Sequence, residues 1–182
     1  MNKLVLVGVV LLLLSVNPIT EELEFRVALV YMLSHYSLVS SGFLIGFALL
    51  RSSWYNLIVG AVPIAFWHLP FPFALGASFL LFRVMTDVSL FLGGLLVGST
   101  IHSVPQWVKI TLLSLYMLGD TVLSVIFIIA DPLYSQKDFH FLLYPPSSLP
   151  IVGVAMILVM NVVVAIVVYL SFKSILRWES ED

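Results

Sequence analysis

Two histidines and one methionine in the first half of the chain have the chemistry to bind a soft metal ion. Met32 and His35 are three positions apart, so a helix would place them one turn from each other. His68 lies further along, in the aromatic stretch at residues 66–70. Imidazole nitrogens and a thioether sulfur together suit copper(I), so these three residues are the candidate metal ligands. A methionine is also an ordinary apolar filler, and a histidine beside aromatic residues also suits a membrane interface.

Four further polar residues fall well inside long apolar segments: Arg83, Asp87, Asp120 and Asn161. An ionised side chain at the centre of a bilayer costs roughly 2.5–3.5 kcal/mol, so these side chains should face one another rather than lipid. Arg83 and Asp87 have the i,i+4 spacing of a pair on one helix face. Together with His35, the four are expected to form a buried polar network. The network could serve a function, or it could only hold helices in register through hydrogen bonds of about 0.6 kcal/mol each.

The overall composition explains why such residues need partners. Of the 182 residues, 61% are apolar and 10% are charged, whereas a soluble domain carries roughly 25% charged residues. We therefore predict an all-α, polytopic membrane bundle of about six transmembrane helices, forming a single domain over residues 1–182 in the lipid bilayer. A net charge of −2 gives no reason to expect a nucleic-acid partner. The lack of cysteine excludes disulfides and thiolate metal sites.

The apolar segments predict spans at residues 3–17, 25–50, 54–70, 74–100, 107–130 and 149–172. A polar stretch at 17–24 is expected to end the first span, and a proline-rich turn at 69–72 the third. The first segment also fits a signal peptide, but no small-x-small cleavage site follows it, so we favour a retained helix.

The predicted spans place the two histidines at different depths. His35 lies about 15 Å from the end of its helix, whereas His68 lies close to the end of its own. Both could therefore hold one ion only with a tilted helix, a kink at Pro63 or a later start of the second span.

The basic residues that flank the spans predict the orientation in the membrane. With a cytoplasmic amino terminus, five basic residues lie on the cytoplasmic side and two on the outer side, where three glutamates also fall. The cytoplasmic group is Lys3, Arg51, Lys109, Lys173 and Arg177, and the outer group is Arg26 and Lys137. This bias predicts a multi-pass protein of the cell membrane with both termini in the cytoplasm.

Three stretches, in this order along the chain, resemble one family of membrane proteins. Residues 31–38, Tyr-Met-Leu-Ser-His-Tyr-Ser-Leu, resemble the His-Met-x-x-His-Met pattern of the CtaG family, the membrane assembly factors of caa3-type cytochrome oxidases. Residues 67–70, Trp-His-Leu-Pro, look like that family's motif at the end of the next helix. Residues 118–134 are similar to its helix that ends in a Leu-Tyr loop. The resemblance covers residues 25–170 and is closer to small archaeal relatives than to the bacterial members.

The resemblance implies a non-enzymatic role in building or accompanying a haem–copper terminal oxidase, through copper supply to its catalytic subunit. The family's histidine positions carry over to His35 and His68. Two departures remove potential ligands. Tyr31 stands where the family often has the first histidine, and residues 86–87, Thr-Asp, stand where it tends to have Glu-His. The candidates for a copper site are therefore the two histidines together with Met32.

Readings from other classes stay open. The chain could be a structural subunit of a respiratory complex, with its polar network against a partner subunit or a quinone. It could also be a small transporter or a proton-conducting protein that uses His35, Asp87 and Asp120, although the sequence has no repeated arrangement of broken half-helices. A haem is less favoured than copper, because it needs two axial histidines whose helices face each other. The sequence contains no hydrolase motif and no nucleotide-binding motif that would indicate an enzyme.

Overall fold

The computed structural model describes residues 2–178, and the side chains of residues 2–169, so Lys173 and Arg177 lie outside the described side chains. Eight α-helices follow one another, and the described residues contain no strand. The helices are α1 (Lys3–Ser15), α2 (Pro18–Glu24), α3 (Ala28–Leu49), α4 (Tyr55–Trp67), α5 (Pro70–Ser78), α6 (Leu80–Thr100), α7 (Gln106–Ile128) and α8 (Leu149–Trp178). Short 3₁₀ turns lie at Pro132–Tyr134 and Pro146–Ser148. The predicted all-α class is confirmed.

The lengths and hydropathy of the helices indicate a multi-pass membrane protein. Four stretches are long and apolar enough to cross a bilayer: α3, α6, α7 and Pro146–Tyr169, which contains the first part of α8. Two further candidates are bent pairs, α1 with α2 at 57° and α4 with α5 at 75°. The described chain therefore has four spans, or six when each bent pair is one span, which agrees with the predicted number.

The two short helices differ from the prediction, and local capping explains both. The polar stretch at 17–24 forms α2, because the Asn17 side chain accepts from the first backbone N–H groups and Pro18 suits the first helical turn. The proline-rich turn does end α4, but Pro70 then begins α5 in the same way. Residues 74–78 thus belong to α5, and the next span starts at Leu80.

The parallel pair α3 and α6 forms the centre of the bundle. In one half of this pair, residues 39–49 and 91–100, glycines let the two backbones touch. A Cβ atom on Gly42 would lie 2.0 Å from the Phe91 carbonyl oxygen, and one on Gly94 would lie 2.2 Å from the Val39 carbonyl oxygen. Small residues four apart are the usual device for close helix contact in lipid, where apolar burial does not drive association. We call this part the glycine half.

The other half of the pair, residues 28–38 and 80–90, is here called the polar half. It holds buried polar side chains. The other helices pack along both halves of the pair, and α1 and the first part of α4 contact the glycine half. α1 packs against α3, α4 runs antiparallel against α6, and the α7–α8 hairpin contacts α3 through α8. The segment 129–148 covers the polar half and contributes Tyr134, Leu142 and Tyr144 to its aromatic core. The fold thus closes over this half.

Candidate functional site

The two predicted ligand histidines lie together in the polar half. The ring centroids of His35 and His68 are 5.5 Å apart, with the rings tilted by 51°. His35 is 1% exposed, and neither of its ring nitrogens has a hydrogen-bond partner among the described residues. A buried polar group without a partner costs about 1–3 kcal/mol. Both nitrogens of His35 are therefore free of protein partners among the described residues.

A break between α4 and α5 positions His68. Because Pro70 disfavours a helical conformation in the residue before it, α4 ends at Trp67 and His68 becomes its C-cap. Nδ1 of His68 lies 2.6 Å from the Ile64 carbonyl oxygen. A carbonyl can only accept, so Nδ1 carries the hydrogen and Nε2 keeps its lone pair free for a ligand.

The carbonyl of His68 itself is satisfied by a residue outside the spans. The Tyr134 hydroxyl donates to it at 2.7 Å. Burial, together with the nearby Asp131 carboxylate, raises the pKa of Tyr134 to about 12, so the hydroxyl keeps its proton at neutral pH. The segment 129–148 therefore completes the broken helix as well as covering the site, and the sequence motif Leu-Tyr did not reveal that contact.

The difference in depth expected between the histidines is absent for two reasons. α3 begins at Ala28, three residues later than predicted, which brings His35 closer to the end of its helix. His68 lies at the bend between α4 and α5 rather than at the far end of a straight span. The structure thus brings the two residues together as a shared site requires.

Aromatic rings enclose His35. The Tyr31 ring centroid lies 4.2 Å from that of His35, and Phe73 lies 5.1 Å from Tyr31. Tyr31 occupies the position of the missing first histidine, so an aromatic ring stands where the resemblance implied a ligand. Gly76 makes room for it, since a Cβ atom there would lie 2.4 Å from the Tyr31 hydroxyl.

Met32 is fully buried in the apolar core that contains Ala28 and Phe73, one turn from His35. Its role as a third ligand stays a prediction. Within the described residues, no three histidine or carboxylate side chains are grouped closely enough to hold a metal ion. A metal at this site would therefore rest on two imidazoles, with the thioether as the additional soft donor.

The predicted pairing of Arg83 with Asp87 is wrong. The Nη1 of Arg83 donates to the Glu24 carboxylate at the end of α2, and both side chains are buried. Side chains on a helix lean toward its N-terminus. Arg83 therefore points toward the start of α6, where α2 and α5 end, and away from Asp87, which lies one turn further on. Asp87 is 9% exposed and forms no ion pair with Arg83.

Each of the three guanidinium nitrogens of Arg83 donates one hydrogen bond. Nε donates to the Gly76 carbonyl at 2.7 Å and Nη2 to the Ala77 carbonyl at 3.1 Å, so it also caps the end of α5. The group lies 4.5 Å from the Phe25 ring centroid and 4.4 Å from that of Tyr31. Sequence reasoning missed Glu24, although an acid directly before an apolar span was a usable signal.

The backbone of Glu24 is held as well. The Tyr144 hydroxyl donates to the Glu24 carbonyl, and burial raises the pKa of Tyr144 well above its ordinary value. The segment 129–148 therefore also fixes the end of α2, beside the buried ion pair.

The two remaining residues of the predicted network, Asp120 and Asn161, differ in burial. Asp120 is 8% exposed and accepts a hydrogen bond from Tyr36, so it is buried but separate from Arg83. Asn161 does not belong to a buried network. It is exposed, and its side-chain amide donates to the Ile157 carbonyl of its own helix at 2.7 Å. That bond satisfies the amide donor without any contact to another helix.

Comparison with known proteins identifies the family of the chain. Residues 6–174 match the family model described as a protein of unknown function, DUF1404. No curated protein and no solved structure matches the chain. The resemblance to the CtaG family stays a prediction. Since the match extends over nearly the whole sequence and includes both histidines, the chain belongs to the DUF1404 family.

Proposed function

We propose that the protein binds a copper(I) ion between His35 and His68 and hands it on as a membrane assembly factor of a haem–copper terminal oxidase. The observation that carries the proposal is the buried His35 ring, whose two nitrogens lack partners beside a second imidazole with a free nitrogen. Copper is here the cargo, and no catalytic role is assigned to the chain.

The separation of the rings suits a metal ion with few ligands. Metal–imidazole bonds of about 2 Å each place two nitrogens about 4 Å apart across the ion. Ring centroids 5.5 Å apart place the two imidazoles close enough for one ion to lie between them. Copper(I) accepts a low number of soft ligands, and Met32 offers a thioether one turn away. The donor set therefore favours copper(I) over metals that need four or more ligands.

The oxidase part of the proposal rests on the sequence resemblance to the CtaG family. The loss of the family's first histidine at Tyr31 leaves fewer ligands, which suits transient holding better than storage. A haem is favoured less, because a macrocycle between the imidazoles would displace the buried Tyr31 ring.

The proposed orientation follows from the basic residues at the ends of the spans. With both termini in the cytoplasm, the polar half of α3 and α6 faces the outer side of the membrane. The copper ion would then be passed to a partner subunit on that side.

Copper(I) titration of the purified protein in mild detergent, in competition with a chromogenic copper(I) chelator, tests the proposal. We expect one ion per chain. His35→Phe should lower the affinity by more than the roughly 10–100-fold that loss of an outer-shell partner costs. His68→Asn should do the same while its amide still donates to the Ile64 carbonyl. Met32→Leu should have a smaller effect.

The melting temperature of His35→Phe and the copper binding of a variant at a third histidine are the controls. His35→Phe removes unpartnered buried nitrogens, so its melting temperature should be unchanged or higher. His102→Ala changes an exposed histidine near Phe47, and copper binding should not respond. Wild-type protein that binds no copper(I), or binding that survives both ligand substitutions, would refute the proposal.

The partner is tested in cells. Removal of the gene should lower the activity of the host's haem–copper oxidase, and added copper should restore it in part. Oxidase activity that is independent of the gene would reject the oxidase link without affecting the copper site.

A further inference from the structure

Asp120 on α7 has an environment that the copper proposal does not use. Its Oδ1 accepts a hydrogen bond from the Tyr36 hydroxyl on α3. Its Oδ2 is buried and receives no hydrogen bond from any described residue. The carboxyl lies eight residues from the end of α7, about 12 Å along the helix. It is therefore a buried acid, well inside a span, with half of its bonding capacity unused.

Among the side chains that the structure describes, none forms an ion pair with this carboxyl. On its own helix the titratable neighbour is Tyr116, one turn away, and the nearest basic residue is Lys109, about 16 Å along the axis. From α3 only the Tyr36 hydroxyl faces it. α8 offers Met160, which lies against Thr121, and its residues 149–168 include no titratable side chain. Arg83 is already paired with Glu24.

A carboxylate without a counter-ion is costly at this depth, and neutralisation removes that cost. We propose that Asp120 and Tyr36 form a proton-binding site within the membrane, in which Asp120 Oδ2 carries an exchangeable proton. Oδ1 is then the carbonyl oxygen of a neutral acid and accepts from Tyr36. The ligand of this site is a proton, and the site is independent of copper, since Asp120 touches neither histidine.

The geometry places two sites on neighbouring faces of one helix, since consecutive helical residues are about 100° apart around the axis. His35 faces His68 at the α4–α5 break, whereas the next residue, Tyr36, reaches α7. Tyr36 is a positioning residue. Its hydroxyl stabilises the ionised carboxylate more than the neutral acid, so it sets the pH at which the proton leaves.

Infrared difference spectroscopy of the full chain in lipid vesicles, between acidic and alkaline buffer, is the first test. We expect the carbonyl stretch of a protonated carboxylic acid to disappear as the pH rises. The band should be missing in Asp120→Asn and present in Asp87→Asn. Asp120→Asn keeps an oxygen that can accept from Tyr36, so the fold should persist. A wild-type band that is unchanged by Asp120→Asn would overturn the proposal.

Chemical modification is the second test. An apolar carbodiimide reacts with a neutral acid, whose O–H adds across one C=N bond so that the whole reagent is retained and nothing leaves. Mass spectrometry should find the adduct on the peptide that contains Asp120, and the amount of adduct should decrease as the pH rises.

The role of Tyr36 is tested by the infrared titration of Tyr36→Phe. The pH at which half of the carbonyl band has disappeared should rise by about one pH unit, because the carboxylate loses one hydrogen bond. A midpoint that stays the same would remove Tyr36 from the site.

Discussion

The two halves of the α3–α6 pair solve the same packing problem in opposite ways. In the glycine half, side chains are absent from the contact and the backbones touch at Gly42 and Gly94. In the polar half, large side chains fill the contact, and Arg83 and Tyr31 are both fully buried there. The comparison teaches that close backbone packing at one end of a helix pair can hold the pair together, while the other end buries polar side chains that can bind a ligand.

Burying the polar and charged side chains of the polar half costs free energy of folding, and a few specific partners offset that cost. Arg83 needs Glu24 and the carbonyl groups at the end of α5, and the carbonyl of His68 needs Tyr134. Neither nitrogen of His35 has a hydrogen-bond partner in the described part of the chain. Tyr31 and Ser34 each have a buried hydroxyl without a partner as well, but His35 has two such nitrogens and lies beside a second imidazole, which makes it the candidate functional position of this half.

The largest loss should follow removal of the charge that faces Arg83. Glu24→Ala leaves an uncompensated buried guanidinium and should lower the free energy of unfolding by about 3–5 kcal/mol. Thermal unfolding in detergent measures the effect. Glu22→Ala, which breaks an exposed ion pair with Arg26, is the matched control and should change little. If Asp87→Ala were as harmful as Glu24→Ala, the polar half would be organised differently from the description above.

The glycine half should tolerate added volume less well than the polar half. Gly42→Ala places a methyl group 2.0 Å from the Phe91 carbonyl oxygen and should cost about 1–3 kcal/mol, through the strain of separating two backbones. Gly119→Ala is the control, because no atom lies within 4 Å of the added Cβ. Equal melting temperatures for the two variants would contradict close backbone packing.

A smaller effect is expected at the helix break. Tyr134→Phe removes the donor to the His68 carbonyl and should cost about 1 kcal/mol. The raised pKa of Tyr134 favours its neutral form in the folded protein. Its contribution is thus complete below pH 10, the ordinary tyrosine value, and is lost as the pH rises through about 12. Unfolding measured at pH 8 and pH 11 should therefore show the difference between wild type and Tyr134→Phe shrinking at the higher pH.

Several features of the fold could be read from residues alone. The apolar segments identified the long helices, and Pro70 identified the end of α4, because a proline constrains its neighbour wherever it stands. Glycines at positions 42, 46, 94 and 98 have the four-residue spacing of close-packed membrane helices, and that signal was overlooked. The two short helices were missed because polar and proline-rich stretches also form the first turns of helices.

By itself, the sequence determined the fold class and the approximate spans, because these depend on the match between local hydropathy and the lipid solvent. It also identified most of the buried polar residues, although it missed Glu24 and wrongly included Asn161. The tertiary structure alone decided which of them meet. Arg83 pairs with Glu24, which is 59 positions away, and Tyr36 bonds Asp120 across 84 positions. His35 meets His68 at the bend between α4 and α5. Such pairings depend on how helices cross and where each side chain points, and neither property is encoded in the spacing within one segment.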